Sequence, residues 1–116
     1  MGEATVARFN YVELPARDIA KVKRFYADAF RFKINDFGPD YAATVTGDTD
    51  IGFNATGEHA TAHVLPVIEV DNLEAVRAAV VAAGGTISLD IFPFPGGRRS
   101  HFVDPEGHEL AAVKSN

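Results

Sequence analysis

An internal repeat constrains this chain more than any other feature of its sequence. A strand pattern at 7–14, a helix pattern after Asp18 and three short strand patterns within 32–54 come first. After a small, polar stretch at 56–61, the same order of patterns begins again. A repeated order of this kind predicts an α+β fold made of two βαβββ modules in tandem.

Superimposing the sequence on itself supports the repeat. An offset of 54 residues places Ile19 on Leu73 and reproduces the apolar face of the first helix in the second. An offset of 57 residues places the turn at 47–50 on the turn at 104–107, and a three-residue difference is ordinary loop variation. The expected organisation is a single domain over 1–116, with module one at about 5–55, a linker at about 56–61 and module two at about 62–114.

Caps and turns mark the expected element boundaries. Asp71 and Asn72 are both candidate N-caps of the second helix, and Glu74 would complete a capping box if Asp71 were the cap. The glycine pair at 84–85 is expected to end this helix. The strands expected in module one after its helix are 32–37, 41–46 and 51–54. In module two we expect strands at 62–70 and 86–92, a loop at 93–97 and a hairpin closed by the turn at 104–107.

Composition and charge limit the possible partners. The 116 residues are 47% hydrophobic, which suits one core, and the absence of cysteine excludes disulfides and thiolate ligands. A net charge of −5 argues against a nucleic-acid or anionic-membrane surface, since either needs clustered Lys and Arg. No apolar run is long enough to span a membrane, and the N-terminus lacks a signal-peptide pattern. We therefore expect a soluble cytoplasmic protein.

Five motifs carry a resemblance to a known family. They are Glu13-Leu14-Pro15-Ala16-Arg17-Asp18, Phe25-Tyr26, Val67-Ile68-Glu69-Val70-Asp71-Asn72-Leu73, Ala83-Gly84-Gly85 and Asp104-Pro105-Glu106-Gly107-His108. Together they resemble the vicinal oxygen chelate superfamily, which includes glyoxalase I, extradiol dioxygenases, fosfomycin resistance enzymes and bleomycin-sequestering proteins. The resemblance implies curled mixed sheets that enclose a shared cavity, with helices on the convex side, and it implies a homodimer. Such motifs identify a fold rather than a reaction.

The resemblance also implies where a metal would be held. Metal-dependent members use one side chain from the first and one from the last strand of each module. Those positions correspond here to Tyr11, Asn54, Leu65 and Ala111. A metal needs several converging oxygen or nitrogen donors, which Leu65 and Ala111 lack, so we expect no metal cofactor. A displaced cluster of His63, Glu13 and Glu109 is the alternative, although two residues along a strand span about 6.6 Å.

Alternation along the strands predicts which side chains face the cavity. Those expected on the helix-covered face are Val12, Leu14, Val64, Ile68, Val70 and Leu110. Those expected on the cavity face are Phe9, Tyr11, Glu13, His63, Leu65, Val67, Glu109, Ala111 and Val113. A mixed polar and apolar row of this kind is typical of a ligand cavity.

The register of the last hairpin decides which of its residues join that row. A simple register places Ser100 opposite Ala111. The side chains sharing that face are then Arg98 and Phe102, or Arg99 and His101 if a one-residue bulge shifts the register. The segment 92–99 before it is expected to act in specificity, with its phenylalanines against an apolar ligand and one arginine against an anion. The alternative is a plain connection whose phenylalanines cap the core and whose arginines are solvated.

Several polar residues have both a functional and a structural interpretation. Tyr11 could donate a hydrogen bond to a bound carbonyl, act as a weak acid, or simply fill space. Asn54 could orient a ligand or bond its own backbone, and Glu13 is the candidate general base if the protein is an enzyme. Among the histidines, we expect His63 at the pocket wall or linker edge, His59 in solvent, His108 in the turn, and His101 hydrogen-bonded near the helix side of the sheet.

Two function classes remain. The first is a metal-free protein that binds a small, partly hydrophobic molecule in a cavity. The expected ligand-binding residues are Tyr11, Asn54, His63, Leu65, Arg98, Ser100, Phe102 and Ala111. The second is a glyoxalase-like lyase or isomerase acting on a vicinal dioxygen substrate through Glu13 and Tyr11, and a dioxygenase is less favoured. The missing ligands weigh against this second class, because the usual chemistry of the family depends on the metal.

Overall fold

The computed structural model describes residues 6–116 and confirms an α+β fold of two βαβββ modules. Module one consists of β1 (Ala7–Pro15), α1 (Ile19–Phe30), β2 (Asn35–Asp36), β3 (Tyr41–Ala43) and β4 (Asp50–Asn54). Module two consists of β5 (Leu65–Val70), α2 (Leu73–Ala82), β6 (Thr86–Phe94), β7 (Gly97–Val103) and β8 (Glu109–Ser115). The chain forms two compact units, Asn10–Leu65 and Pro66–Asn116, and the start of β1 belongs to the second unit.

The strands of module one are arranged in the order β2-β3-β4-β1. β1 runs parallel to β4, and β3 is antiparallel to both β2 and β4. The parallel register pairs Leu14 with Phe53, and the ring of Phe53 lies 5.2 Å from that of Tyr26 on α1. This face of the sheet is therefore the one that α1 covers.

The first helix has the start predicted for it and an unusual end. Asp18 is the N-cap, where its Oδ1 accepts a hydrogen bond from the Lys21 amide at 3.0 Å. Arg31 is the C-cap and has a φ of 61°, in the left-handed region. The amides of Arg31 and Phe32 still bond to helix carbonyl groups. The strand predicted at 32–37 is consequently too long, because its first residues complete the helix.

A side-chain network also shortens the next strand of module one. The prediction of a strand over 41–46 is wrong beyond Ala43. Asp50 accepts hydrogen bonds from Oγ1 of Thr44 at 2.7 Å and from the Thr46 amide at 2.8 Å. These bonds tie the chain into the turn before β4 and replace the regular pairing of a strand.

Module two has longer strands, arranged in the order β5-β8-β7-β6. β5 and β8 are parallel, whereas β7 is antiparallel to both of its neighbours. The second helix packs one apolar face on this sheet. The residues of that core are Val70, Leu73 and Ala112, with Ile68, Val76, Ile91 and Phe102 packed against them.

The ends of α2 resolve the choice between two caps. Asn72 is the N-cap, since its Oδ1 accepts from the Ala75 amide at 3.0 Å. Glu74 therefore does not form a capping box and instead pairs with Arg98. Beyond the helix, Gly84 has a φ of 101°, which agrees with the predicted glycine stop.

Two boundaries predicted in module two are wrong. β6 continues to Phe94, so the loop predicted at 93–97 is reduced to a tight turn before β7 begins at Gly97. A Cβ at Gly97 would lie 2.1 Å from the carbonyl oxygen of Lys114, so only glycine fits this close approach. β5 begins at Leu65 rather than at 62, because Oγ1 of Thr61 bonds the carbonyl of His63 at 2.6 Å and holds this stretch in a local turn.

The turns at the end of each module are built differently, although the repeat places one on the other. In module two, Asp104 opens the turn and accepts from the amides of Glu106 and His108 at 2.8 and 3.0 Å. In module one, Asp50 closes the turn and accepts from residues before it. No helix within residues 6–116 is long and apolar enough to cross a membrane.

Candidate functional site

The register of the last hairpin places Arg99 and His101, not Arg98 and Phe102, on the face of Ala111. His101 pairs with Ala111, and Ser100 pairs with Ala112. The simple register, which sets Ser100 opposite Ala111, is therefore wrong. Arg99 and His101 therefore share the face of Ala111, as the second alternative had it, but the β7–β8 pairing is regular and contains no bulge.

The residues displaced from that face have structural partners on the other side of the sheet. Phe102 packs against the core beneath α2, and Ser100 is a buried neighbour of Ala112 in the pairing of the strands. The guanidinium of Arg98 donates to Oε1 of Glu74 on α2 at 3.2 Å, a surface ion pair that lowers the pKa of the Glu74 carboxyl. Their placement on the cavity face is corrected accordingly.

Arg99 is a buried cation in module two. Only 9% of the residue is exposed, and its guanidinium carbon lies 5.4 Å from the ring centre of Phe92 and 6.0 Å from that of Phe94. A guanidinium over aromatic faces gains cation–π attraction, and its planar fork has the geometry that suits a carboxylate or phosphate. Phe92 and Phe94 are side chains of a strand here, not of a loop over a cavity mouth.

His101 lies beside Arg99 on the same face and is 2% exposed. Its Nδ1 is 3.4 Å from Oε2 of Glu109, and the same oxygen accepts from Oγ of Ser88 at 2.9 Å. The prediction that His101 lies near the helix side of the sheet is wrong, because the register turns its ring to the opposite face. Its side chain therefore joins a polar row with Arg99 and Glu109.

Module one carries a second buried polar group, built from two tyrosines and a glutamate. The hydroxyl oxygens of Tyr11 and Tyr41 lie 2.6 Å apart, and the Tyr41 hydroxyl donates to Oε1 of Glu13 at 3.0 Å. Glu13 is 3% exposed. Burial raises the pKa of the Tyr41 phenol above its ordinary value of 10.0, and Tyr11 and Glu13 raise it further.

The number of protons fixes the direction of these hydrogen bonds. Each phenol has one proton to donate. When Glu13 is ionised, Tyr41 donates to the carboxylate, so Tyr11 must donate to Tyr41. While it donates to Tyr41, the Tyr11 hydroxyl does not donate to a ligand carbonyl, which is one of the roles that the sequence suggested for it. The three side chains can thus pass a proton from Tyr11 to Glu13.

Gly52 leaves the space that this network occupies. It pairs with Glu13 in the parallel register of β1 and β4. A Cβ at this position would lie 1.8 Å from the Tyr11 hydroxyl oxygen and 2.5 Å from that of Tyr41. The network therefore depends on glycine here, and a glycine inside a short strand is a sequence signal for close approach of another group.

The remaining sequence candidates have local structural roles. The amide of Asn54 is held by its own loop: Oδ1 accepts from the Thr56 amide at 2.9 Å, and Nδ2 donates to the Glu58 carbonyl at 3.2 Å. His63 is exposed and precedes β5, at the edge of the linker. His108 lies in its turn, with Nδ1 2.9 Å from Oδ2 of Asp104.

The donor atoms present do not fit the divalent metal of metal-dependent relatives. Of the four corresponding positions, Leu65 and Ala111 offer no donor, and the amide of Asn54 is committed to its loop. Across residues 6–116, no group of three or more His, Cys, Asp or Glu side chains could hold a metal ion. The residues of the alternative cluster, His63, Glu13 and Glu109, belong to different compact units, and that cluster stays a prediction.

One protein-family model matches most of this chain. The model of the Glyoxalase/Bleomycin resistance protein/Dioxygenase superfamily matches residues 8–112. The chain therefore belongs to this superfamily, as its motifs predicted. A search of curated proteins found no match to the sequence.

Solved structures of other proteins share the fold. A superfamily member from Vibrio splendidus 12B01 is 17% identical with a TM-score of 0.69, over 96% of this chain and 100% of the other. Methylmalonyl-CoA epimerase from Mycobacterium tuberculosis is 11% identical with a TM-score of 0.72, over 93% and 87%. The Mn(II)-bound glyoxalase from Novosphingobium aromaticivorans is 19% identical with a TM-score of 0.67, over 94% of this chain and 40% of that one.

Sequence reasoning missed one residue of the candidate site and left another undecided. In the sequence Tyr41 carries no signal beyond its place in a predicted strand, yet it links Tyr11 to Glu13. The glycine at 52 could have revealed the close approach. Arg99 was one of two alternatives, and only the strand register could choose between them.

Proposed function

We propose that this member of the superfamily binds a small, partly hydrophobic molecule that carries an anionic group, and that it does so without a divalent metal. The observation that supports this most is Arg99, a buried guanidinium held against Phe92 and Phe94. A ligand with an aromatic or apolar body and a carboxylate would complement the rings and the cation together.

Arg99 is proposed to bind the anion, rather than Arg98, because Arg99 is the more buried of the two. A hydrogen bond between charged groups is stronger in a site removed from water than at the surface. Arg98 is more exposed and pairs with Glu74 on α2. Arg99 is 9% exposed and shares its face with His101, so an anion bound there would be withdrawn from solvent.

The metal-free part of the proposal rests on the donor set. A divalent ion would have to be held by a phenol, a committed amide and two aliphatic side chains, and that set cannot complete its coordination. The fold alone does not argue for the metal, because folds of this kind host several chemistries.

A paired substitution tests the role of Arg99. Small aryl carboxylates, beginning with benzoate, naphthoate and phenylpyruvate, would be screened by ligand-observed NMR and thermal shift, with benzamide as the neutral control. For a carboxylate that binds, the Arg99→Met variant is expected to lose at least about tenfold in affinity, which is about 1.4 kcal/mol. Arg98→Met is the matched control and should bind as the parent does. Equal affinity of both variants would overturn the proposal.

The second candidate function is a glyoxalase-like lyase or isomerase, and the Tyr11–Tyr41–Glu13 network supports it. A buried carboxylate linked to two phenols can accept a proton from a substrate in contact with Tyr11. The test is exchange of the substrate C–H with deuterium when a bound keto acid is incubated in D2O. Enzyme function predicts exchange that is lost in Glu13→Gln and kept in Glu106→Gln, an exposed control. If no exchange occurs, the enzyme function is refuted and only the binding function remains.

The proposal includes a homodimer in the cytoplasm. No residue of α1 is buried within the chain, and Phe25 and Phe30 remain 57% and 56% exposed, which supports a partner at this helix. Light scattering coupled to size-exclusion chromatography measures the mass directly. A single species at the mass of one chain across micromolar concentrations would contradict the dimer.

A further inference from the structure

A surface pocket of about 680 Å³ lies in module one at the end of α1. Val12 and Ile51, which pair across β1 and β4, contribute apolar side chains to it, as does Phe32 beyond the helix. By strand alternation Val12 points to the helix-covered face, whereas Tyr11 and the network around it lie on the opposite face. The pocket is therefore separate from the candidate site described above.

Two cations border this pocket. Arg31 and Lys33 both line it, and neither side chain takes part in an ion pair or hydrogen bond within residues 6–116. The carboxylate that lines it belongs to Asp50, whose oxygens accept from Thr44, Thr46 and Gly47. Burial alone would raise the pKa of Asp50, but these hydrogen bonds outweigh it and lower the pKa. The carboxylate is thus committed to its turn, and the two cations remain available to an anion.

The backbone at Arg31 gives a separate reason to look for function. Its φ of 61° is a left-handed conformation that costs a residue with a Cβ more free energy than glycine. After α2 the left-handed conformation falls on Gly84, with a φ of 101°, and module two avoids this cost. Strain of this kind is often retained where the side chain itself is needed. Arg31 is exposed and lines the pocket, so its guanidinium is placed to meet a ligand there.

We infer that this pocket is a second ligand site, which binds a small organic anion with an aryl or short alkyl body. The guanidinium of Arg31 matches a carboxylate or phosphate through two parallel hydrogen bonds, and Lys33 adds a second positive charge. Val12, Phe32 and Ile51 supply the apolar wall that distinguishes such an anion from a simple inorganic one. This inference is independent of Arg99 and of the ligand proposed there.

The test is a titration followed by 15N NMR on the full chain, with phenyl phosphate, benzoate and inorganic phosphate as separate probes. Saturable shifts are expected at the amides of 31–33 and 44–51 with phenyl phosphate or benzoate, and at least fivefold weaker binding with inorganic phosphate. Comparison of the two aryl probes shows whether carboxylate or phosphate is preferred. Equal affinity for inorganic phosphate would overturn the inference, since the apolar wall would then contribute nothing.

Substitutions separate a functional Arg31 from a merely structural one. Arg31→Gly removes the cation and relieves the left-handed strain, so its melting temperature should rise while aryl-anion affinity falls at least tenfold. Arg24→Gln removes an exposed cation from α1 and is the matched control, with affinity expected to remain within twofold of the parent. An Arg31→Gly variant that is more stable and binds equally well would overturn the inference. Equal losses of affinity in Arg31→Gly and Arg24→Gln would also overturn the inference, because they would indicate a general effect of charge.

Discussion

Replacing Tyr41 with phenylalanine removes one hydroxyl group that serves two partners, the buried Glu13 and the half-buried Tyr11. This hydroxyl donates to Oε1 of Glu13 at 3.0 Å and accepts from the Tyr11 hydroxyl at 2.6 Å. A hydrogen bond to a charged group contributes about 1.5–3 kcal/mol, and a neutral one contributes about 1 kcal/mol. Because Glu13 is only 3% exposed, water cannot readily replace the lost donor. We expect Tyr41→Phe to lower the free energy of unfolding by about 2–4 kcal/mol.

Urea unfolding followed by circular dichroism measures this loss, with Tyr26→Phe as the matched control. The ring of Tyr26 lies among Phe30, Phe32 and Phe53, and its hydroxyl makes no hydrogen bond in the described part of the chain. The control should therefore remain within about 0.5 kcal/mol of the parent. A Tyr41→Phe variant as stable as its control would refute the network and the buried proton path based on it.

Tyr41→Phe should also change how the stability of the protein depends on pH in alkaline solution. Burial, followed by the effects of Tyr11 and Glu13, raises the pKa of Tyr41 in the folded chain above 10.0. The unfolded chain therefore loses this proton first as the pH rises. The raised pKa adds its full contribution to the free energy of unfolding below about pH 10. Above that pH the contribution falls by up to about 1.4 kcal/mol per pH unit. Between pH 10 and 11 the parent should lose stability more steeply than Tyr41→Phe; parallel curves would contradict this.

Three further substitutions test individual elements. Gly52→Ala would overlap two tyrosine hydroxyl groups and should cost about 1–3 kcal/mol or more in thermal unfolding, whereas unchanged stability would show that the space can relax. Asn72→Ala removes the cap of α2 and should cost about 1 kcal/mol, while Asp71→Ala should cost less than about 0.5 kcal/mol; equal losses would contradict the assignment of the cap. Backbone and side-chain hydrogen bonds from His108 lower the pKa of Asp104, so the stability that this carboxylate contributes is present above about pH 4 and lost as the pH falls. In denaturant titrations at acid pH, the free energy of unfolding of Asp104→Asn should depend less on pH than that of the parent. The same dependence on pH in both proteins would contradict this prediction.

The helices could be predicted because their signals are local. Asp18 and the three- and four-residue spacing of apolar side chains specify α1 as it is observed, Ile19–Phe30. For α2 the sequence offers two candidate N-caps, Asp71 and Asn72, which lie two residues and one residue before the helix. A cap choice of this kind depends on a single side-chain rotamer, which periodicity does not report.

The faces of the last strands could not be predicted in the same way. Alternation shows which residues share a face, but the partner strand decides which face it is. The pairing of His101 with Ala111 and of Arg99 with Val113 places Arg99 in the polar row. The contact of Tyr41 with Glu13 spans two strands that are not neighbours in sequence, so it also depended on pairing.

Elemental analysis tests the central claim most directly, because the claim is a ligand-binding member of this superfamily that works without the divalent metal of its metal-dependent relatives. The protein would be purified without a metal-affinity tag and its content of manganese, iron, nickel, cobalt and zinc measured per chain. The donor set of Tyr11, Asn54, Leu65 and Ala111 predicts well below one equivalent of any of them. One equivalent of a divalent ion per chain, retained through dialysis, would contradict the account and favour the lyase or isomerase function.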